Sequence, residues 1–314
     1  MRAYLTYRFG TSAIVMVGVS LVTYGMIFLT PGNPARVILS ERLGRPPSQA
    51  EIEAFEAEHG LNDPFLVQYG RWLADVLRGD LGTSYYADTQ VSAMIVDALP
   101  VTIELAVAST IVALAIAVPT GVISAVHRGT KVDVVCQVGS LIGVAMPNFW
   151  LAYLLILAFP LTLGILPVAG AGRPSQLVLP AVTLGTGMAA VLTRLIRASM
   201  LEVLDEAYVD TARSKGLRGR IVRYKHALRN ALVPVLTIIG LQFGSLLNGA
   251  VVVEVVFQRP GLGTLLVDAV FNRDYPVIQG IALITAGVFV VTNLLVDLGY
   301  RYLDPRVSLG GETA

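Results

Sequence analysis

Apolar and polar positions alternate along this chain in long blocks. Six runs are predominantly apolar, at residues 9–30, 99–125, 135–160, 178–200, 234–257 and 276–299. Each is about 20 residues or longer, enough for a helix to cross a hydrocarbon core roughly 30 Å thick. The pattern predicts an all-α, polytopic membrane protein with six transmembrane helices. The first run is preceded by Arg2 and Arg8 and followed by Pro31, Gly32, Asn33 and Pro34, without a small-residue cleavage site. Residues 1–30 therefore read as a retained anchor helix rather than a signal peptide.

Two polar blocks interrupt the runs. Residues 31–98 carry helix punctuation: Ser48 with Glu51 makes a capping box that opens a helix closed by Gly60, and Asp63 is expected to cap a second helix with Pro64 at its first position. Leu66, Tyr69, Trp72, Leu73, Val76 and Leu77 follow at helical spacing and give that helix an apolar face. A small external helical region results, either packed over the span ends or touching a delivery protein. The second block, 201–233, holds Arg213, Lys215, Arg218, Arg220, Arg223, Lys225 and Arg229. Its first part, 202–216, predicts an amphipathic helix, with Leu201, Leu204, Tyr208 and Ala212 on one face and Gly216 as its end.

The distribution of Lys and Arg orients the spans. Arg128 and Lys131 lie in the short loop 126–134, seven cations lie in 201–233, and the opposite short loops hold only Arg173, Arg259 and Arg273. The positive-inside bias places the N-terminus, both basic loops and the tail 301–314 in the cytoplasm. Residues 99–300 then form a five-helix core with a cytoplasmic loop.

Composition reinforces this picture. Across 314 residues, 54% are hydrophobic and 14% charged, too apolar for an ordinary soluble domain. A net charge of +1 gives no field that would gather nucleic acid. Glu104 is the charge placed deepest in a span and is a candidate for the translocation path. Glu254 lies near a span end, where it reaches headgroups or caps a neighbour, and Arg194 and Arg197 are explained by snorkelling. Pro119, Pro147 and Pro160 interrupt helix hydrogen bonding, whereas Gly185, Gly187, Gly240, Gly244 and Gly249 permit close helix approach. The lone Cys136 reads as a small buried hydrophobe.

Catalytic signatures are absent from the sequence. None of the three lysines follows a glycine, so the phosphate-binding loop GxxxxGK[ST] is missing. HExxH and GxSxG are missing too, and no metal site or catalytic residue is assigned.

The segment AYVDTARSKGL, with Asp210, Thr211, Ala212 and Gly216 at the positions of the signature Glu-Ala-Ala, three residues, Gly, resembles the permease subunits of ATP-binding-cassette importers. Its form is similar to the dipeptide and oligopeptide branch. So are DPFLVQYGRWL, RGDLGTSY, LPVTIELA, MPNFWLAYLLIL, HALRNALVP and FQRPGLGTLL, which extend the resemblance over nearly the whole chain. One departure is His226, Ala227, Leu228 and Arg229, where the general signature has an apolar residue, any residue, then Leu-Pro.

The resemblance implies a type I importer permease fold in a bacterial inner membrane. The chain would form half of a pore shared with a homologous second permease, and an external binding protein would deliver the substrate. ATP and Mg would sit on one or two kinds of cytoplasmic ATPase. Residues 202–216 would be the coupling helix, involving Glu202, Leu204, Glu206, Tyr208, Asp210, Ala212, Arg213, Lys215 and Gly216, with Leu204, Tyr208 and Ala212 docking into the ATPase. Short peptides are the implied cargo, although members of the branch also carry nickel and other small solutes. The alternative is a stand-alone channel or secondary transporter, which internal repeats or several midplane charges would favour.

Overall fold

The computed structural model describes residues 2–29 and 33–303, and among these no strand occurs beyond an isolated bridge between Thr83 and Gln90. The helices are α1 (Arg2–Leu29), α2 (Pro34–Leu43), α3 (Gln49–Glu58), α4 (Phe65–Leu77), α5 (Val91–Val126), α6 (Lys131–Ala145) and α7 (Asn148–Ile156). They continue with α8 (Pro174–Leu204), α9 (Ala207–Ser214), α10 (Gly219–Ile221), α11 (Leu228–Val256), α12 (Leu262–Phe271) and α13 (Tyr275–Leu303). Two π-helical stretches extend them, Leu157–Leu163 after α7 and Val222–Ala227 before α11. The tail at 304–314 lies outside the described residues.

A helix covers every apolar run, but the count of six spans is approximate. Four described helices are unbroken and apolar enough to cross a membrane: Val91–Val126, Pro174–Leu204, Gly219–Gly244 and Tyr275–Leu294. The run at 135–160 is the pair α6 and α7, bent by 102° at a break formed by Met146 and Pro147. Pro147 cannot donate to the turn before it and Met146 is extended (ψ 119°), so the helix restarts at Asn148. The first run contributes the apolar stretch Gly10–Met26 of α1.

The chain divides into two units. Among the described residues, the first contains 2–29, 33–100 and 261–290. Within it, Ala35, Ile38 and Leu39 of α2 pack with Ile52 and Phe55 of α3 and with Tyr275. The Ser48–Glu51 capping box forms as expected, and the Arg45 guanidinium beside Glu51, followed by the Ser48 amide and hydroxyl, holds that carboxyl down to about 2. Gly60 takes φ +62° and Leu61 N donates to Glu56 O at 2.9 Å, which caps the last carbonyls of α3. The expected Asp63 cap does not form. Pro64 is itself the N-cap residue (ψ 143°), and the Asp63 carboxylate instead pairs with Arg71 at 2.5 Å. Tyr85 N donates to Asp274 at 3.0 Å and Ser84 Oγ donates to the same carboxylate, so 80–90 is tied to the turn before α13. Val91, Ile95 and Ala98 of α5 pack on α12 and α13, where a Cβ at Gly280 would meet Val91 Cγ1 at 2.6 Å.

Among the described residues, the second unit contains 101–260 and 291–303. Its core helix is α8, which buries Leu179, Leu184, Met188, Leu192, Ile196 and Met200 against α5, α7 and α11. Small residues let these helices meet closely. A Cβ at Gly185 would stand 2.6 Å from the Ser109 carbonyl of α5, and one at Gly249 would stand 3.0 Å from Leu184. Gly187 has only ordinary contact with Asn148, whereas Gly121 and Gly143, which sequence reasoning passed over, are tight against Ile196 and Ala190. Pro160 falls inside the π-helical stretch 157–163, where its missing amide is tolerated. Outward faces of α6 and α7, including Val135, Leu141, Trp150 and Tyr153, remain apolar and exposed, as membrane-embedded helices require.

Candidate functional site

The loop between α8 and α11 is built from a short helix, a left-handed turn and a π-helical return. α8 runs through Leu204 and stops where Asp205 and Glu206 donate back to Glu202 and Val203, each at 3.2 Å. Glu206 is extended (ψ 142°), so α9 starts afresh at Ala207. The expected single helix over 202–216 is therefore two elements: Glu202 and Leu204 end α8, and Tyr208, Asp210, Ala212 and Arg213 lie on α9. Asp210 in the first turn and Arg213 in the last both suit the helix dipole, and they pair at 3.0 Å.

Gly216 closes α9 in a Schellman arrangement. Its φ is +78°, its amide donates to Arg213 O at 2.9 Å, and Leu217 N donates to Ala212 O at 3.3 Å. A Cβ there would meet nothing within 4 Å, so backbone conformation rather than space demands glycine.

The docking face differs from expectation. Ala212 is buried with Val209 and Val222, and the half-buried Leu204 packs against them, so both help to hold the loop together. The reason is the break at Asp205 and Glu206, across which a single helical spacing no longer relates Leu204 to Ala212. Tyr208 remains 40% exposed, its hydroxyl accepting from Asn230 Nδ2 at 2.7 Å. Leu217, Ile221 and Tyr224, at 39%, 40% and 52% exposure, join it as uncovered apolar side chains that sequence reasoning missed. Glu202, Glu206, Asp210, Arg213 and Lys215 are exposed. The signal was present as apolar residues spaced through the basic stretch after Gly216.

Two charge networks brace the same unit. Glu104, the candidate path residue, is half-exposed and accepts from Arg259 Nη2 at 2.8 Å, so its charge is balanced within the chain. Arg259 is 1% exposed and also donates to the carbonyls of Gly170 and Gln176, each at 3.3 Å. Glu254, expected to reach headgroups or cap a neighbour, is fully buried and accepts from Thr102 Oγ1 at 2.6 Å. The second network centres on the buried Asp133. Its carboxylate accepts from Arg197 Nε and Nη2, both at 2.8 Å, from Ser124 Oγ at 2.6 Å, from Gly129 N at 3.0 Å and from Gln137 Nε2 at 2.9 Å. Arg197 is therefore a bidentate partner pinning the 126–131 turn to α8, not a side chain reaching for the membrane surface.

Comparison with known proteins adds to this geometry. The family described as binding-protein-dependent transport system inner membrane component matches residues 117–309, and the N-terminal family of such membrane components matches 1–106. The chain is 42% identical to the oligopeptide transport system permease protein AppB of Bacillus subtilis, over 98% of this chain and 100% of that protein. It is 37% identical to the dipeptide transport system permease protein DppB of Escherichia coli, over 98% and 99%. Among solved structures, a chain of the MetNI methionine ABC transporter in an inward facing conformation aligns with TM-score 0.59 at 18% identity, over 67% of this chain and 96% of that one.

Proposed function

This chain belongs to the family of binding-protein-dependent transport system inner membrane components, and from that premise we propose a division of labour along its length. It is a multi-pass membrane transport subunit rather than an enzyme. In this reading it forms half of a pore for short peptides, the cargo class in the names of its AppB and DppB relatives. A homologous permease supplies the other half. An external binding protein delivers the peptide near residues 31–98, and separate ATPase chains on the cytoplasmic side supply the energy.

The observation that carries this reading is the loop between α8 and α11. The sequence has no phosphate-binding loop, so work done by ATP must enter through contact. α9, capped at Gly216 and held by Leu204, Val209, Ala212 and Val222, forms with the return through α10 a knob whose uncovered Tyr208, Leu217, Ile221 and Tyr224 fit an apolar groove on an ATPase. Seven surrounding cations orient it. Two residues, Asp205 and Glu206, separate α9 from α8, the central core helix, so a push on α9 is delivered directly to the helix that packs against α5, α7 and α11. Closure of two ATPases then moves two such knobs and switches the pore between inward-open and outward-open.

Ile221→Asp tests the docking face. Burying an isoleucine contributes about 1.5–3 kcal/mol, so ATPase recovered with the tagged chain is expected to fall by roughly 10–100-fold. Membrane insertion should be unchanged, because Ile221 is exposed in this chain. Undiminished recovery with both Ile221→Asp and Leu217→Asp would remove this face from the contact.

A further inference from the structure

The geometry points to α4 as a helix that lies along the bilayer surface, its apolar edge in the acyl–headgroup boundary and its charged edge in water. This goes beyond the transport role and needs only that α1 spans the membrane.

α4 packs beside the C-terminal end of α1. The Tyr24 ring meets Trp72 at 5.1 Å, Tyr69 at 5.8 Å and Phe65 at 6.0 Å, and Ser20 Oγ lies 2.8 Å from Tyr69 Oη. Tyr24 stands five residues before the end of α1, about 8 Å along the axis at 1.5 Å per residue. That depth is where a span leaves hydrocarbon for headgroups, and where tyrosine and tryptophan collect because one part of each ring system is apolar and another part is polar. The flanking surface of α1, Val17, Leu21 and Val22, is exposed and apolar, so the lipid that covers it continues past α4.

α4 itself is divided by chemistry. Leu66, Leu73 and Leu77 fall on one stripe, at i, i+7 and i+11, beside the edge that meets α1, and Leu66 and Leu77 are 76% and 80% exposed. The opposite edge carries Arg71, Asp75 and Arg78, with Arg71 paired to Asp63 and Arg78 to Asp75. Two leucines uncovered to that degree, next to a lipid-covered helix and opposite a band of paired charges, match a surface-lying amphipathic helix. Because the cations are already paired, attachment relies on apolar burial and not on anionic lipid.

The test uses the full chain with its partner subunits in phosphatidylcholine vesicles. Cys136→Ala removes the lone cysteine, and nitroxides are attached at Leu66→Cys, Leu77→Cys and Asp75→Cys in turn. Collision with oxygen, which concentrates in lipid, should exceed collision with a water-soluble nickel chelate several-fold at 66 and 77, with the order reversed at 75. Free access of the chelate to 66 and 77 would place that edge in water. Nitroxides there that are immobilised and shielded from both reagents would mean that a protein covers it. Either result overturns the inference, and neither bears on whether the chain serves an ATP-driven importer.

Discussion

Asp133→Ala is expected to destabilise the folded chain by roughly 3–5 kcal/mol, the cost of removing one partner from a buried ion pair. The carboxylate is 3% exposed and satisfies five donors, two from Arg197 and one each from Ser124, Gly129 and Gln137. Alanine orphans all five in a site that has little water to replace them. Thermal unfolding of the purified protein should drop by on the order of 10 °C. Asp133→Asn keeps the shape and one acceptor oxygen but loses the charge, so it should fall between parent and alanine. A pair of apolar replacements, Asp133→Leu with Arg197→Met, should recover the part of the loss that comes from the abandoned guanidinium, while Ser124, Gly129 and Gln137 stay without their acceptor. An alanine variant as stable as the parent would show that this network does not hold the 126–131 turn on α8.

Gly216→Val is expected to abolish most transport while leaving the protein in the membrane. A left-handed residue with a Cβ costs roughly 1–2 kcal/mol, with β-branched residues at the upper end. That cost lowers the population of the capped loop by about 5–30-fold, and transport should fall in proportion. Among the described residues, apart from the chain neighbours of Gly216, no atom lies within 4 Å of the added Cβ, so the fold elsewhere has no reason to change. Gly216→Asn should retain more activity than Gly216→Ala, since asparagine visits the left-handed region most readily after glycine. Uptake in cells, normalised to membrane-inserted protein, separates these cases. Equal activity for valine and asparagine would mean that the turn does not matter for coupling.

Helix ends defined by local chemistry were legible in the sequence. The Ser48–Glu51 capping box and the glycines at 60 and 216 carry their geometry in a few adjacent residues, and each forms as read. The break before α9 was not legible. The apolar spacing Leu201, Leu204, Tyr208, Ala212 runs straight through it, and Glu206 makes no side-chain cap that would announce a new helix. The inward packing of Leu204 and Ala212 went unread for the same reason.

Glu104 was singled out in the sequence, whereas Arg197 was put down to snorkelling and Asp133 was passed over, because the partners lie too far along the chain to be matched by pattern. Glu104 and Arg259 are 155 positions apart, and Asp133 and Arg197 are 64 apart. Asp63 shows the opposite error, since a residue suited to capping was taken by a cation eight positions on, Arg71. Helix contacts at Gly121 and Gly143 likewise depend on which faces meet, which periodicity alone does not decide.

The most direct measurement is purification of the tagged chain from solubilised membranes, followed by reconstitution into vesicles with an external binding protein and a labelled short peptide. The account predicts that a second permease and ATPase chains co-purify, that uptake requires ATP, and that Ile221→Asp sharply lowers both ATPase recovery and uptake. A chain recovered alone that moves solute into vesicles without ATP would contradict it.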